Sequence, residues 1–285
     1  MQKMTENTNP LNKYFRQATV YVKLPSGLQY PASAIEPAES GELAVQPMTA
    51  MDEIKFKTPD ALMNGQGVVD VIQSCIPQIK DAWQVVSYDL DAIFLAIRIA
   101  TYGETMDITY TLPGTTEKRE HTINLPAFME DIGRQKIEHS FTVDKLTFHV
   151  SPLTYRDMNL VSLETFQQQK IYASLRDANI KDEDKVKTFD ESFKKMNDLT
   201  QEILLKNISK IDTENETVSN PAHISEFLKN GDAKLIAEIQ SNLQRLRMQG
   251  SAPAVKMKSS EEDIKKGAPA SYEVPVTFDT ANFFV

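Results

Sequence analysis

Cysteine is almost missing from this chain: Cys75 is the single one in 285 residues. Neither an intrachain disulfide nor a Cys-only metal site can be built from it, and the usage fits a reducing compartment. Long apolar runs are missing too. The most apolar stretch, residues 90–100, is broken by Asp91 and Arg98 and is about half the roughly 20 residues that a bilayer-spanning helix needs. No membrane insertion is expected. Residues 1–9 are polar and lack the basic-then-apolar order of a signal peptide, so the chain is read as staying inside a cell. Positive charge is in deficit, with 31 Lys and Arg against 40 Asp and Glu and a net charge of −9. Nucleic-acid binders draw most of their affinity from phosphate neutralisation by a basic face, so nucleic acid is not an expected partner. The four histidines, His121, His139, His149 and His223, show no carboxylate or Cys at ligand spacing. No metal and no cofactor are expected.

What is present suits a folded protein. A hydrophobic fraction of 41% with 25% charged residues can build a sizeable core, and the length suggests about one to two domains. Alternation from Gln17 to Leu24 predicts a strand closed by Pro25-Ser26-Gly27. The turn-rich stretch from Pro31 to Pro47 is read as wrapping around the body, with a short strand at Leu43 to Val45. Thr49 followed by Asp52 and Glu53 marks a helix start, because the hydroxyl and acids satisfy unpaired N–H groups and complement the helix dipole. A second short helix is predicted to restart at Thr58-Pro59-Asp60, and another over Val68 to Ile76. The helix through Leu90, Ile93, Phe94 and Ile97 is apolar on its opposite side as well, so it should be enclosed, with Gly103 as its stop.

Two hairpins are predicted next, one around Pro113-Gly114-Thr115-Thr116 with alternation through Leu125, and one around Asp144. Leu153 to Asp177 and Asp182 to Ile211 read as two long helices forming an antiparallel pair. In the second, Val186, Phe189, Phe193, Met196, Thr200 and Ile203 follow the spacing of a coiled-coil seam for about two and a half heptads. Asn220-Pro221 opens a helix, Leu235, Ile239, Leu243 and Leu246 define the last amphipathic one, and the tail returns to strands around a charged loop from Lys258 to Ser271.

Candidate chemistry is sparse. The acidic clusters Asp89/Asp91 and Asp182-Glu183-Asp184 fall at helix starts, where they stabilise the N-terminus. Gly65-Gln66-Gly67 lacks the Lys-Ser/Thr end of a phosphate loop, and Cys75 reads as a buried inert thiol. A hydrolase assembled from Asp89, Asp91 and His149 is the enzymatic rival, but no nucleophile accompanies them. The candidate partner-binding residues are Leu11, Tyr14, Phe15, Trp83, Phe283 and Phe284: the terminal aromatics lie where nothing local compels burial, and Trp83 is either core or an interface anchor.

Several segments together resemble the T4-type bacteriophage baseplate protein family. They are Asn9-Pro10-Leu11 through Tyr14-Phe15-Arg16, Val20 to Leu24 with Pro25-Ser26-Gly27, Pro47-Met48-Thr49-Ala50, Lys57 to Leu62, Val71 to Cys75 with Pro77, Ala96 to Gly103, His223 to Leu228, and Asn282-Phe283-Phe284. The resemblance implies a non-enzymatic protein of the central baseplate hub of contractile phages, either a component or an assembly factor. Residues 48–103 are also similar to phage tail-assembly chaperones, which leaves the second option open. Similar proteins often carry Cys-x-x-Cys pairs in two β-hairpin loops, like a zinc ribbon. Here those places hold Leu112-Pro113-Gly114-Thr115 and the loop after Lys258, so the hairpins must be fixed by packing, with Tyr110, Ile123, Val274 and Val276 as the expected contacts, and the charged loop is expected to be mobile.

The reading is therefore an α+β fold with an N-terminal β segment and short helices, a long helical hairpin, and a small β-hairpin unit resembling a zinc ribbon without its cysteines. Its expected divisions are 1–103, then 104–150 with 253–285, then 151–252. The expected partners are phage baseplate hub or tail proteins, with self-association left open, in the host cytoplasm during assembly or in the virion tail.

Overall fold

The computed structural model describes residues 9–27, 30–36, 39–58, 64–177 and 182–276. A 3₁₀ turn at Pro10–Tyr14 leads into β1 (Val20–Val22), which pairs antiparallel with β2 (Leu43–Val45). The stretch between them does not merely wrap, because Ala34 and Ile35 are buried and Ile35 bridges to Ile79. Helix α1 (Ala50–Phe56) starts with the predicted cap, Thr49 and Asp52 forming a reciprocal capping box. The short helix expected at Thr58-Pro59-Asp60 falls mostly outside the described residues.

Helices α2 (Gln66–Cys75) and α3 (Ser87–Tyr102) follow. Being apolar all round, α3 can only be stable when enclosed, and Leu90, Ile93, Phe94, Leu95, Ile97 and Ile99 are all buried. Strands β3 (Thr105–Thr111) and β4 (Lys118–Asn124) form the first hairpin. The alternation was expected to run through Leu125, but Asn124 stops it: its Oδ1 accepts from the Ala127 N–H at 2.9 Å and opens α4 (Leu125–Arg134), a helix the strand pattern concealed. Strands β5 (Ser140–Val143) and β6 (Leu146–Val150) form the second hairpin.

Helices α5 (Tyr155–Asp177) and α6 (Asp182–Lys206) run antiparallel, as the contacts Gln168 with Ser192 and Asp157 with Lys206 require. The second helix stops at Lys206 instead of Ile211. Residues Ile208–Asp212 form β7, which takes the open edge of β6, and β8 (Thr217–Val218) completes a sheet of order β5-β6-β7-β8. The free edge of β6 and burial of Ile208 and Ile211 against it outweigh helix continuation. Helices α7 (Pro221–Asn230) and α8 (Ala233–Arg247) cover that sheet. The chain then forms β9 (Val255–Lys258), α9 (Glu261–Lys265) and β10 (Ser271–Val274). The charged loop expected to be mobile thus contains a helix, opened by a capping box between Ser260 and Asp263.

Two cores result. The larger gathers β1, β2 and α1 through α4, with Ile123 and Val276 joining from the two distant hairpins. The smaller packs Phe141, Phe148 and Ile211 of the sheet against Leu204, Ile224, Ile239 and Leu243. The hairpins β3-β4 and β9-β10 do meet, although they lie in separate sheets. The Tyr110 and Tyr272 hydroxyls are 2.9 Å apart, Arg119 forks onto Asp263 with one arm at 2.9 Å, and Lys266 Nζ lies 3.1 Å from Glu117 Oε2. A Cβ on Gly114 would stand 2.3 Å from the Gly267 carbonyl oxygen, so this approach requires glycine.

Candidate interaction surface

The 3₁₀ turn at Pro10–Tyr14 begins where Asn9 Oδ1 accepts from the Leu11 N–H at 3.0 Å, with Pro10 at its first position. The turn presents Leu11, Tyr14 and Phe15 to solvent at 60%, 73% and 57% exposure. Water leaves such side chains uncovered at a cost of about 25 cal/mol per Å². The chain accepts that cost in a turn that is firmly held.

Arg16, the next residue, does the holding. One guanidinium nitrogen donates to the Pro47 carbonyl at 2.7 Å and to Asp52 Oδ2 at 3.2 Å. The other donates to the Ser74 carbonyl at 2.7 Å and to Ser74 Oγ at 2.8 Å. One side chain thereby ties the displayed turn to the start of α1 and the end of α2. Asp52 is buried, and burial works against its ionisation. Hydrogen bonds from the Thr49 N–H and hydroxyl and from Ser74, together with the Arg16 charge, outweigh that and hold its carboxyl below the usual range. The sequence showed Asp52 only as a first-turn acid; its partnership with Arg16, 36 residues away, has no local signal.

Trp83 occupies a different place. Its ring stacks on Tyr155 at 5.5 Å between centroids, with the Arg156 guanidinium 6.0 Å away, and its edge closes on Gly65. Gly65 precedes α2 while Ser74 lies at its far end, so the structure sets Trp83 and the aromatic turn about 14 Å apart along that helix. Phe283 and Phe284 lie outside the described residues.

The residues of the enzymatic rival are engaged separately. Asp89 is fully buried and accepts from the Ser26 N–H at 2.8 Å, the Ser26 hydroxyl at 2.7 Å and the Tyr30 hydroxyl at 2.6 Å. Burial pushes its pKa up despite these bonds. It is in the first turn of α3, as expected of a helix-start acid, but its carboxylate fastens the β1 turn to that helix. Asp91 accepts from the Ala252 N–H at 2.9 Å. His149 does have a carboxylate partner that the sequence spacing hid: pairing of β6 with β7 brings its Nε2 2.5 Å from Asp212 Oδ2. Cys75 is buried in the larger core, and desolvation pushes its thiol up to about 12, far from a reactive thiolate.

Further exposed apolar residues lie on the long hairpin. Val186, Phe189 and Phe193 of the predicted seam are 61%, 50% and 56% exposed. The spacing was legible in the sequence, but not that none of its six positions would be buried: Met196 and Ile203 are half-buried and Thr200 is exposed. No helix among the described residues is long and apolar enough to cross a membrane. Searches of curated proteins and of solved structures found no match. The family model described as T4 bacteriophage base plate protein matches residues 20–249, which include the smaller core, most of the larger one and every helix from α1 to α8, and the chain belongs to that family.

Proposed function

We propose that this baseplate-family protein is a non-enzymatic part of the central hub of a contractile-tailed phage, as a component or as a factor for its assembly. It works through protein contacts, and the aromatic turn of Leu11, Tyr14 and Phe15 is the surface that meets a hub or tail protein. The observation that carries this reading is the family match over residues 20–249. The turn supports it, because three large apolar side chains clamped in place by Arg16 bind at little ordering cost. Phe283 and Phe284 are proposed as a second contact of the same kind.

The test is an affinity pull-down of tagged chain from infected cells, with mass spectrometry of the captured proteins and of finished particles. Hub or tail proteins should be recovered with the native chain, and at least tenfold less with Tyr14→Ser and Phe15→Ser combined. Presence in particles makes the chain a component, and recovery only from intermediates makes it an assembly factor of the tail-chaperone type. Capture of no tail protein overturns the reading.

A further inference from the structure

Where the two cores meet, an open cleft of about 590 Å³ lies between α6, α8 and the start of α5, with Ser87 of α3 at its edge. Its walls include Leu153, Met158, Ile203, Leu204 and Leu243. Asn207, the residue after α6, stands among them with only 2% of its surface exposed. Three of its four polar groups are engaged. The backbone N–H and the side-chain Nδ2 donate to the Ile203 carbonyl at 3.0 and 2.7 Å, and the backbone carbonyl accepts from the Ser151 N–H at 2.9 Å. The fourth, Oδ1, is shielded from solvent and accepts a hydrogen bond from no described residue. Folded proteins supply a donor to nearly every buried acceptor, because one left empty forfeits its bond to water without replacement.

The surroundings of Asn207 suit a donor on an extended peptide. Gln240 and Gln244, one turn apart on α8, line the cleft with it. A side-chain amide pairs a donor with an acceptor as the peptide group does, so three of them beside apolar walls can bind a backbone while its side chains are buried. Gln135 already holds backbone in this way elsewhere in the molecule. Its Oε1 accepts from the Gly250 N–H and its Nε2 donates to the Ser251 carbonyl, both at 2.9 Å. Shape agrees with an extended occupant. A compact ligand is held by enclosing about 70–90% of its surface, whereas this cleft is open and covers one side of what lies in it.

Charge narrows the choice of peptide. Arg247 borders the cleft three residues beyond Gln244, and no acidic side chain lines it. Arg245 is paired with Glu138 at 2.9 Å, but Arg247 has no acidic partner among the described residues. A guanidinium at the rim of an apolar cleft favours a carboxylate there.

We propose that the cleft takes an extended segment of another protein in which apolar residues adjoin an aspartate or glutamate. The apolar side chains lie against Leu153, Ile203 and Leu243, one backbone N–H donates to Asn207 Oδ1, and the carboxylate meets Arg247. Gln240 and Gln244 bond the neighbouring peptide groups. The inference rests on the reading that this chain works through protein contacts, and it uses elements other than those that carry the aromatic turn.

The test selects a phage-displayed library of random heptapeptides on the purified chain, with counter-selection on Arg247→Glu. Enriched sequences should combine apolar residues with an aspartate or glutamate. A synthetic copy of the best one should shift the methyl NMR signals of Met158 and Met248, which line the cleft, and not that of Met51, exposed on α1. Arg247→Gln, or the peptide with its acid replaced by the amide, should weaken binding about tenfold. The Arg247 side chain is exposed, so that variant should melt as the native chain does. N-methylating the peptide amides in turn should find one whose loss also costs about tenfold.

Enrichment of no peptide overturns the proposal and assigns Asn207 Oδ1 to an ordered water. A consensus without an acid, or shifts at Met51 in place of Met158 and Met248, overturns it as well. So do shifts of Met158 and Met248 that follow chain concentration without peptide, which would give the cleft to a second copy. Peptide binding with no tail protein captured from infected cells would remove the hub reading and keep this one. Tail proteins captured with no peptide enriched would do the reverse.

Discussion

Replacing Arg16 by alanine tests how the aromatic turn is held. The substitution removes four hydrogen bonds, two to backbone carbonyls and two to the Asp52 and Ser74 side chains. Hydrogen bonds involving a charged group contribute about 1.5–3 kcal/mol each, and breaking a buried ion pair costs about 3–5 kcal/mol when a charge is left stranded. Two effects reduce the loss. Asp52 keeps its bonds from the Thr49 N–H at 2.8 Å, the Thr49 hydroxyl at 2.7 Å and the Ser74 hydroxyl at 3.0 Å, so its charge is not stranded. Alanine also avoids the roughly 2 kcal/mol of side-chain freedom that arginine loses on folding. Four such bonds at the weak end of that range come to about 6 kcal/mol, and these offsets bring the net to about 3–4 kcal/mol, a sizeable part of the roughly 5–15 kcal/mol that holds a native domain together.

Urea unfolding reads this as a midpoint about 1–2 M lower with an unchanged slope. The pH dependence has a definite sign. Asp52 has a folded pKa below its unfolded value of 3.8, so its contribution is present above that value and is lost as pH falls through the folded pKa. The gap between Arg16→Ala and the native chain is therefore widest near neutrality and narrows below about pH 4. Arg16→Lys, a point charge without the fork, should recover about half of the loss. Partner capture should fall in the alanine variant as it does when Tyr14 and Phe15 are replaced. A gap under about 0.5 kcal/mol at pH 7, or one that ignores pH, would refute this account of the clamp.

Two other predictions concern the junction of the distant hairpins. The Arg119 fork, with help from Ser260, holds the Asp263 carboxyl down at about 2, so Arg119→Gln should lower the melting temperature fully above pH 4, and the difference should shrink steeply as the pH falls from 4 through about 2. A melting difference undiminished at pH 2 would assign the effect to lost packing instead. Gly114→Ala should cost at least about 2 kcal/mol, because it adds a clash with the Gly267 carbonyl to a left-handed backbone, whereas Gly41→Ala, at φ +72 with open space around it, should cost about 1 kcal/mol. Equal losses in calorimetry would mean that the close approach of the two hairpins does not constrain this position.

Local rules carried most of the elements. The Thr49 and Asp52 cap, the enclosed α3, the hairpins around Gly114 and Asp144, and the seam of α6 all follow from spacing and capping within a few residues of chain. Where the reading departs from the structure, a distant partner decides the outcome. Residues 208–212 extend a helical run, yet they become a strand because β6 offers an unpaired edge. Residues 261–265 look like a charged loop, yet they form a helix whose Asp263 serves both its own cap and Arg119. The partner of Arg16 lies 36 residues away, that of Asp89 63 residues away and that of His149 likewise 63.

The candidate surfaces divide in the same way. That Leu11, Tyr14 and Phe15 are apolar and terminal is written in the sequence; that they are displayed and Trp83 is engaged depends on what the folded body covers. By itself the sequence determined the periodicity, the caps, the acidic balance and the family. Tertiary structure alone decided which apolar residues remain in water and which charges meet, because burial and ion pairing depend on proximity in space, and proximity between segments dozens of residues apart leaves no trace in local spacing.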